Sequence, residues 1–229
     1  MKKGKLFVVA TPIGNLEDIT FRAVDILKRV PFVLAEDTRE SKKLFERYGI
    51  ETTLISYRDQ NHDRMIGKIY EKLNMGLDLA LISDAGTPLI SDPGYKLVRE
   101  LREEGYDVIS IPGASAVTAA LSVSGLPTDR FLFLGFLPKS DAKRRKLIEQ
   151  YKGLESTIVI YESPHRLSKL LELVLDVYGN IKVFLAKDIS KMREESFSGT
   201  VSEVLEVLKE RDFENNPHGE FVCVFSEKN

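Results

Sequence analysis

A single cysteine, Cys223, is present in 229 residues, which excludes an intrachain disulfide. It lies in the alternating run Glu220 to Phe225 and reads as a strand or core residue. Histidine is equally sparse. His62, His165 and His218 are scattered, and no Cys/His grouping has the spacing of a zinc site, so no metal is expected. No apolar run approaches a membrane span. The N-terminus has basic residues ahead of Leu6 to Ala10, but that apolar segment is too short for a signal peptide and is followed by a turn. It reads as a first strand. There is little net charge either. A balance of −2 gives no global attraction to nucleic acid, so any such binding must come from a local patch. With 43% apolar and 30% charged residues, the chain is a soluble globular protein, expected in the cytoplasm. It has no fixed-period repeat and no low-complexity tract.

Common nucleotide and hydrolase signatures are also missing. No G-x-G-x-x-G follows a strand, which argues against a Rossmann dinucleotide site. The absence of G-x-x-x-x-G-K-[ST] argues against a P-loop, and that of G-x-S-x-G against an α/β-hydrolase.

What is present is organised around Leu81 to Gly94, LISDAGTPLISDPG. Two Asp-x-Gly turns, Asp84-Ala-Gly86 and Asp92-Pro-Gly94, follow the apolar run Leu79 to Ile82 and precede helical sequence. Strand, Gly/Pro/Asp turn, then helix is the pattern of a ligand loop at the carboxyl end of a strand in an α/β sheet. The glycines permit positive φ and close backbone approach, and the aspartates suit backbone capping or acceptance from a ligand.

In the first half, strands are predicted at Lys5–Ala10, Phe32–Ala35, Thr52–Ser56, Leu77–Ile82 and Asp107–Ile111. Helices alternate with them: Phe21 to Arg29 capped by Thr20, one opened by Glu36–Arg39, one capped by Asp63, Gly94–Glu104, and a small-residue helix from Pro112 to Ser124. Five β/α alternations imply a mostly parallel sheet. Gly125-Leu-Pro-Thr128 reads as a linker, giving α/β domains over 1–124 and 125–229. The second half carries strands at Phe131–Phe136, Ser156–Tyr161 and Ile181–Ala186, with helices at Ser140–Tyr151 and Pro164–Tyr178. Glu195–Thr200 and Glu220–Phe225 are expected to pair antiparallel around a helix from Val201 to Arg211, giving a mixed sheet.

Four long blocks carry a resemblance: VATPIGNLEDIT from Val9, AEDTRESKKL from Ala35, SDAGTPLISDPG from Ser83, and IPGASAVTAALSVSGLPTDRFLFLGFLP from Ile111; YESPHRL from Tyr161 joins them. They are similar to the bacterial 16S ribosomal RNA 2′-O-ribose cytidine methyltransferases, within the tetrapyrrole-methylase-like (class III) fold. The resemblance implies S-adenosylmethionine as donor, a donor cleft between two α/β domains, a homodimer, and methylation of a cytidine 2′-hydroxyl in the decoding region. Met192-Arg193 departs from the family, where Leu-His is more usual. Members often carry a further C-terminal helical piece that is not found before Asn229.

A ribose hydroxyl is a weak nucleophile until its proton is accepted, so a carboxylate in a matching loop is sought. Asp37, Asp92 and Glu162 are the candidates, with Arg39 for a phosphate. Helix capping with a surface ion pair is the competing role for Glu36, Asp37 and Arg39, and a turn role for Glu162 and His165. Donor contacts are expected from backbone at Pro12 and Ile13, from Asp84, Ala85, Gly86, Thr87 and Pro88, and from Pro112, Gly113, Ala114, Ser115 and Ala116. The last group opens a helix whose dipole suits an anion; close packing of small residues is the alternative. Asp84 is open to either the donor's amino group or its ribose. Lys139, Lys143, Arg144, Arg145 and Lys146 form the candidate RNA patch, against the common alternative of a solvated helix face. Other acceptors on the same fold, a tetrapyrrole or a protein side chain, and a non-enzymatic ribosome-binding factor are the competing readings.

Overall fold

A computed structural model describes residues 2–228. The chain divides into two compact units, one ending at Ser115 and the other starting at Ala116.

The first unit alternates strand and helix: β1 (Leu6–Val9), α1 (Phe21–Arg29), β2 (Phe32–Ala35), α2 (Thr38–Tyr48), β3 (Thr53–Ser56), α3 (His62–Asn74), β4 (Leu79–Ile82), α4 (Tyr95–Glu103) and β5 (Val108–Ile111). All strand pairs are parallel, in the order β3-β2-β4-β1-β5. Apolar runs specify this arrangement. Leu79 to Ile82 is buried at every position, as a central parallel strand requires. Caps set the helix limits. The Thr20 hydroxyl accepts from Ala23 N–H to open α1, and Gly49 closes α2 at φ 59. The third helix begins at His62, after a short 3₁₀ turn at Asp59–Asn61, rather than at an Asp63 cap.

The helices cover opposite faces. α1 and α2 pack with Val9, Val33 and Ile82 on one side, through Ile26, Leu27, Leu44 and Phe45. α3 and α4 pack with Leu6, Leu34 and Leu81 on the other, through Ile69, Leu73, Leu97 and Leu101. Strand β4 therefore lies between two strands, β2 and β1, whose following helices leave to the opposite face from its own. That is a topological switch, the place where open α/β sheets form ligand crevices beyond their carboxyl ends.

The second unit contains α5 (Ala116–Val123), β6 (Phe131–Phe136), α6 (Asp141–Gln150), β7 (Thr157–Glu162), α7 (Leu167–Tyr178), β8 (Lys182–Lys187), β9 (Glu195–Thr200), α8 (Val201–Glu210) and β10 (Phe221–Phe225). Helix α5 belongs here because Val117, Ala120 and Leu121 pack on Val222, Val224 and Phe184. The division thus falls ahead of the Gly125 linker, not at it. The sheet is mixed, in the order β6-β7-β10-β8-β9, with β6 parallel to β7 and the remaining pairs antiparallel. The expected pairing of β9 with β10 is corrected. Strand β9 pairs with β8, and β10 inserts between β7 and β8. The reason is burial: all five residues of β10 are buried, whereas β9 exposes Ser196 and Ser198 and suits an edge. Cys223 is fully buried in β10, and burial pushes its thiol far above the ordinary range.

Candidate active site

The loops leaving β1, β2, β4 and β5 are stitched to one another. Thr11 and Gly86 form a two-bond antiparallel bridge, Thr11 N–H to Gly86 O at 2.8 Å and Gly86 N–H to Thr11 O at 3.0 Å. The Thr11 hydroxyl donates to Ser83 O at 3.3 Å. The Thr87 hydroxyl donates to Ala114 O at 3.1 Å, joining the β4 loop to the β5 loop. Asp37 N–H donates to Asp84 Oδ1 at 2.9 Å, joining the β2 loop to the β4 loop. Gly94 N–H donates to Asp59 Oδ1 at 3.0 Å, bringing in the loop after β3.

Glycine is required at defined points. Gly86 has φ 80, and a Cβ there would stand 3.2 Å from Ile13 Cγ2. Gly94 has φ 124, and a Cβ there would stand 2.8 Å from Leu81 Cδ2. Both Asp-x-Gly turns therefore use the conformational freedom read from the sequence. Between them Leu89 and Ser91 also take positive φ, 74 and 67, so the loop turns sharply without glycine at those positions.

This stitching encloses a pocket of about 330 Å³. Its walls are Pro12, Ile13, Gly14 and Leu16 from the β1 loop, Ile82 to Ala85 from the β4 end, and Glu40, Ser41, Lys43 and Leu44 from α2. The volume lies at the small end of the range for small-molecule sites. Pro12, Ile13, Asp84 and Ala85 thus fall on one cavity. Gly86, Thr87 and Pro88 follow in the same loop, with Gly86 and Pro88 buried. Thr87 reaches the Pro112–Ser115 segment through Ala114. Ala116 is the first residue of α5 and belongs to the second unit. The α2 wall of the pocket falls within the AEDTRESKKL block, but its residues are not among the candidate donor contacts. The signals that could have found it are that block and the position of Glu40 and Ser41 in the first turn of the helix after a carboxyl-edge loop.

The rim is acidic. Asp84 is exposed; Asp92 and Glu36 are partly buried. Burial pushes the Asp92 carboxyl up to about 6, against a hydrogen bond from Ser83, with the charges of Glu36 and Asp84 raising it further. Glu36 is raised in the same way, by burial first and then by Asp84. Asp37 behaves oppositely. Arg39 Nη2 at 2.6 Å and Nε at 3.0 Å bind its carboxylate, its Oδ1 also takes Arg39 N–H, and its acidity is strengthened. Arg58 adds a longer ion pair at 3.7 Å. Asp37 and Arg39 are thus a helix cap with an ion pair, the role weighed against catalysis. Of the four residues considered for chemistry, Asp92 alone combines partial burial with a carboxyl that takes up a proton near neutrality.

Glu162 is 1% exposed. Its Oε1 pairs with Arg166 at 2.5 Å and accepts from Ser163 N–H at 2.8 Å. Its Oε2 is buried with no hydrogen-bond partner among the described residues. Arg166 in turn donates to Leu137 O at 3.3 Å. This is an internal clamp on the turn after β7, and the structure does not open it to a substrate.

The basic segment divides. Arg144 is 3% exposed and donates to the carbonyls of Pro138 and Lys139 at 3.3 and 3.4 Å, so it holds the loop from β6 into α6. Its placement removes it from an RNA surface, because a guanidinium aimed at inward carbonyls cannot meet phosphate. Arg145 is bound by Asp176 at 2.6 Å and by Glu149 at 3.4 Å. Lys139, Lys143 and Lys146 remain exposed. No group of three or more His, Cys, Asp or Glu with metal-binding placement occurs among the described residues. No helix among them is long and apolar enough to cross a membrane.

The chain belongs to the Tetrapyrrole (Corrin/Porphyrin) Methylases, whose family model matches residues 5–205 and so takes in the whole sheet of the parallel unit and most of the mixed-sheet unit. Solved structures of the same fold include uroporphyrin-III-C-methyltransferase from Thermus thermophilus, at TM-score 0.63 and 18% identity over 99% of this chain and 93% of that one. Another is the cobalamin biosynthetic enzyme cobalt precorrin-4 methyltransferase, at TM-score 0.65 and 16% identity over 96% and 94%. Within the family the near relatives are of a narrower kind. The chain is 45% identical over 99% of its length to the Ribosomal RNA small subunit methyltransferase I of Halalkalibacterium halodurans, covering 77% of that protein. It is 44% identical over 98% of its length to the protein of the same name from Thermotoga maritima, covering 99% of it. The resemblance carried by the motif blocks therefore extends over the chain. The protein is an enzyme of the methyltransferase class.

Proposed function

We propose that this enzyme uses S-adenosylmethionine to methylate the ribose 2′-hydroxyl of a cytidine in 16S ribosomal RNA of the small subunit. The observation that carries the reading is the near full-length likeness to small-subunit RNA methyltransferases, together with an intact switch-point pocket. The pocket's chemistry fits the donor. Ile13, Leu16, Leu44 and Ile82 offer apolar surface, and the carboxylates of Asp84 and Glu40 in the wall, with Asp92 and Glu36 close enough to feel the Asp84 charge, suit a ligand bearing cationic sulfonium and ammonium groups. The pocket takes part of the donor, and the backbone of residues 86–88 and 112–115 takes more.

When bound, S-adenosylmethionine supplies a methyl group on a cationic sulfur, so the reaction calls for alignment and a proton acceptor more than for a metal. Asp92 is the acceptor in this proposal. Its carboxylate, anionic above about pH 6, takes the proton that the ribose 2′-hydroxyl loses. Asp84 orients the donor while holding the β2 loop in place through Asp37 N–H. Exposed Lys139, Lys143 and Lys146 attract the RNA backbone. The reading includes a cytoplasmic enzyme acting as a homodimer, as the motif resemblance implies.

The test is methylation of small-subunit RNA by the purified protein with labelled donor, followed by mapping of ribose methylation. Label on the 2′-oxygen of one cytidine is the expected result. Label on a base, or a donor-induced rise in Tm without transfer to any small-subunit RNA, overturns the proposed acceptor.

A further inference from the structure

Strand β6 ends in an aromatic cluster with no part in the site described above. β6 is an edge strand, hydrogen-bonded only to β7. Its register against β7 shifts between Phe133 and Phe136, and Gly135 within the shift takes φ 62. In a regular strand, side chains three positions apart point to opposite faces. The bulge re-aims Phe136 so that it pairs with Tyr161 across the ladder. Both phenylalanine rings then stand edge-on to the Tyr161 ring, Phe133 at 4.8 Å and Phe136 at 5.6 Å between centroids. Phe133 and Tyr161 pack towards α5, whereas Phe136 stays 59% exposed and Phe131, at the other end of the strand, 47% exposed.

Exposed cations stand at both ends of this strip. Arg130 precedes β6, and Lys139 and Lys143 follow it; none forms an ion pair among the described residues. Of the nearby acids, exposed Asp129 adjoins Arg130, while the two beside the lysine end are engaged. Asp141 faces Arg144, and Glu162 is buried against Arg166. An outward aromatic face with unpaired cations at either end matches a single-stranded nucleic acid, which offers flat apolar bases joined by phosphates. A second protein surface is a poorer match, because lysine is depleted where proteins meet.

We propose that Phe136, propped by Tyr161, is a ledge on which an unpaired base of the RNA stacks, with Lys139 and Lys143 on neighbouring phosphates. The proposal rests on RNA being the acceptor. It adds an interaction that does not depend on which ribose is methylated, because every base presents a flat face.

The experiment uses the full chain and a short single-stranded RNA of arbitrary sequence carrying 2-aminopurine, whose fluorescence is quenched on stacking. The parent protein and Phe136→Trp quench the probe. Phe136→Ala loses the quench and binds on the order of tenfold more weakly. The donor-induced Tm rise is the same in all three. Unchanged affinity and quench in Phe136→Ala, or no quench by the parent, overturns the ledge. So does a smaller sedimentation coefficient for Phe136→Ala, which would assign the ring to an interface between copies. A parent that quenches the probe yet fails to methylate small-subunit RNA refutes the acceptor assignment and leaves the ledge standing.

Discussion

The backbone N–H of Asp37 donates to the Asp84 carboxylate at 2.9 Å, so an exposed acid of the β4 loop fixes the start of α2. Helix α2 supplies one wall of the pocket through Ser41 and Leu44. Replacing Asp84 therefore removes a rim charge and a tether together. Asp84→Ala should weaken donor binding by about tenfold, as expected when one charge-assisted hydrogen bond is removed. Asp84→Asn keeps an acceptor for Asp37 N–H and should fall between the parent and Asp84→Ala. Calorimetric titration with donor checks both, and equal affinities in all three proteins would remove Asp84 from the site.

Asp92 gives a pH signature. Its carboxyl is pushed up to about 6 by burial, against an ordinary value of 3.8. The proton-accepting form is the anion, so single-turnover methyl transfer should rise through about pH 6 and level off above it. Asp92→Asn should lower the rate by on the order of a hundredfold or more and abolish the rise. The stability linkage has the opposite sign. A carboxyl harder to ionise in the fold than in the unfolded chain costs stability as pH climbs from about 4 to about 6, and Asp92→Asn should flatten that decline in urea titrations.

Arg166 and Glu162 form a pair whose carboxylate is fully buried. Removing only the cation leaves an uncompensated charge, so Arg166→Ala should cost about 3 kcal/mol or more. Adding Glu162→Gln to that variant should restore part of the stability. Chemical denaturation separates the cases, and a double variant no more stable than Arg166→Ala would contradict the clamp.

The basic segment gives contrasting variants. Arg144→Ala should reduce stability with little change in the salt dependence of RNA binding, because its guanidinium holds carbonyls. Lys139→Ala with Lys143→Ala should leave stability within about 0.5 kcal/mol. The same pair should shallow the log–log salt slope by about 0.7 for each phosphate of single-stranded RNA that is no longer neutralised. Filter binding across a salt series provides the comparison.

Much of the first unit is legible in the sequence because its signals are local. Apolar runs of four residues, a Thr20 cap and a Gly49 stop recur at strand and helix limits, and α1, β2 and β6 coincide with their predicted spans. The place of β10 is not legible. Its pairing with β7 and β8 reaches across long sequence separations, and an apolar five-residue run does not announce whether one neighbour or two will cover it. The site divides along the same line. Gly86 and Gly94 declare their conformations through the turns they occupy, whereas Arg144 and Arg145 look alike in sequence and differ only in which carbonyls or carboxylates the fold brings to them. The Asp37–Asp84 tie joins loops from separate strands, and only the sheet order reveals it.

Strand β10 also bears on biosynthesis. The first sheet is complete once residue 111 has been made, so it can assemble while the rest of the chain is still leaving the ribosome. The second sheet has a gap between β7 and β8 until residues 221–225 emerge. During that interval the two flanking strands each carry an open ladder, as β1 and β2 do until residues 79–82 emerge between them, so a chaperone that shields strand edges would act on the two halves of the nascent polypeptide in turn.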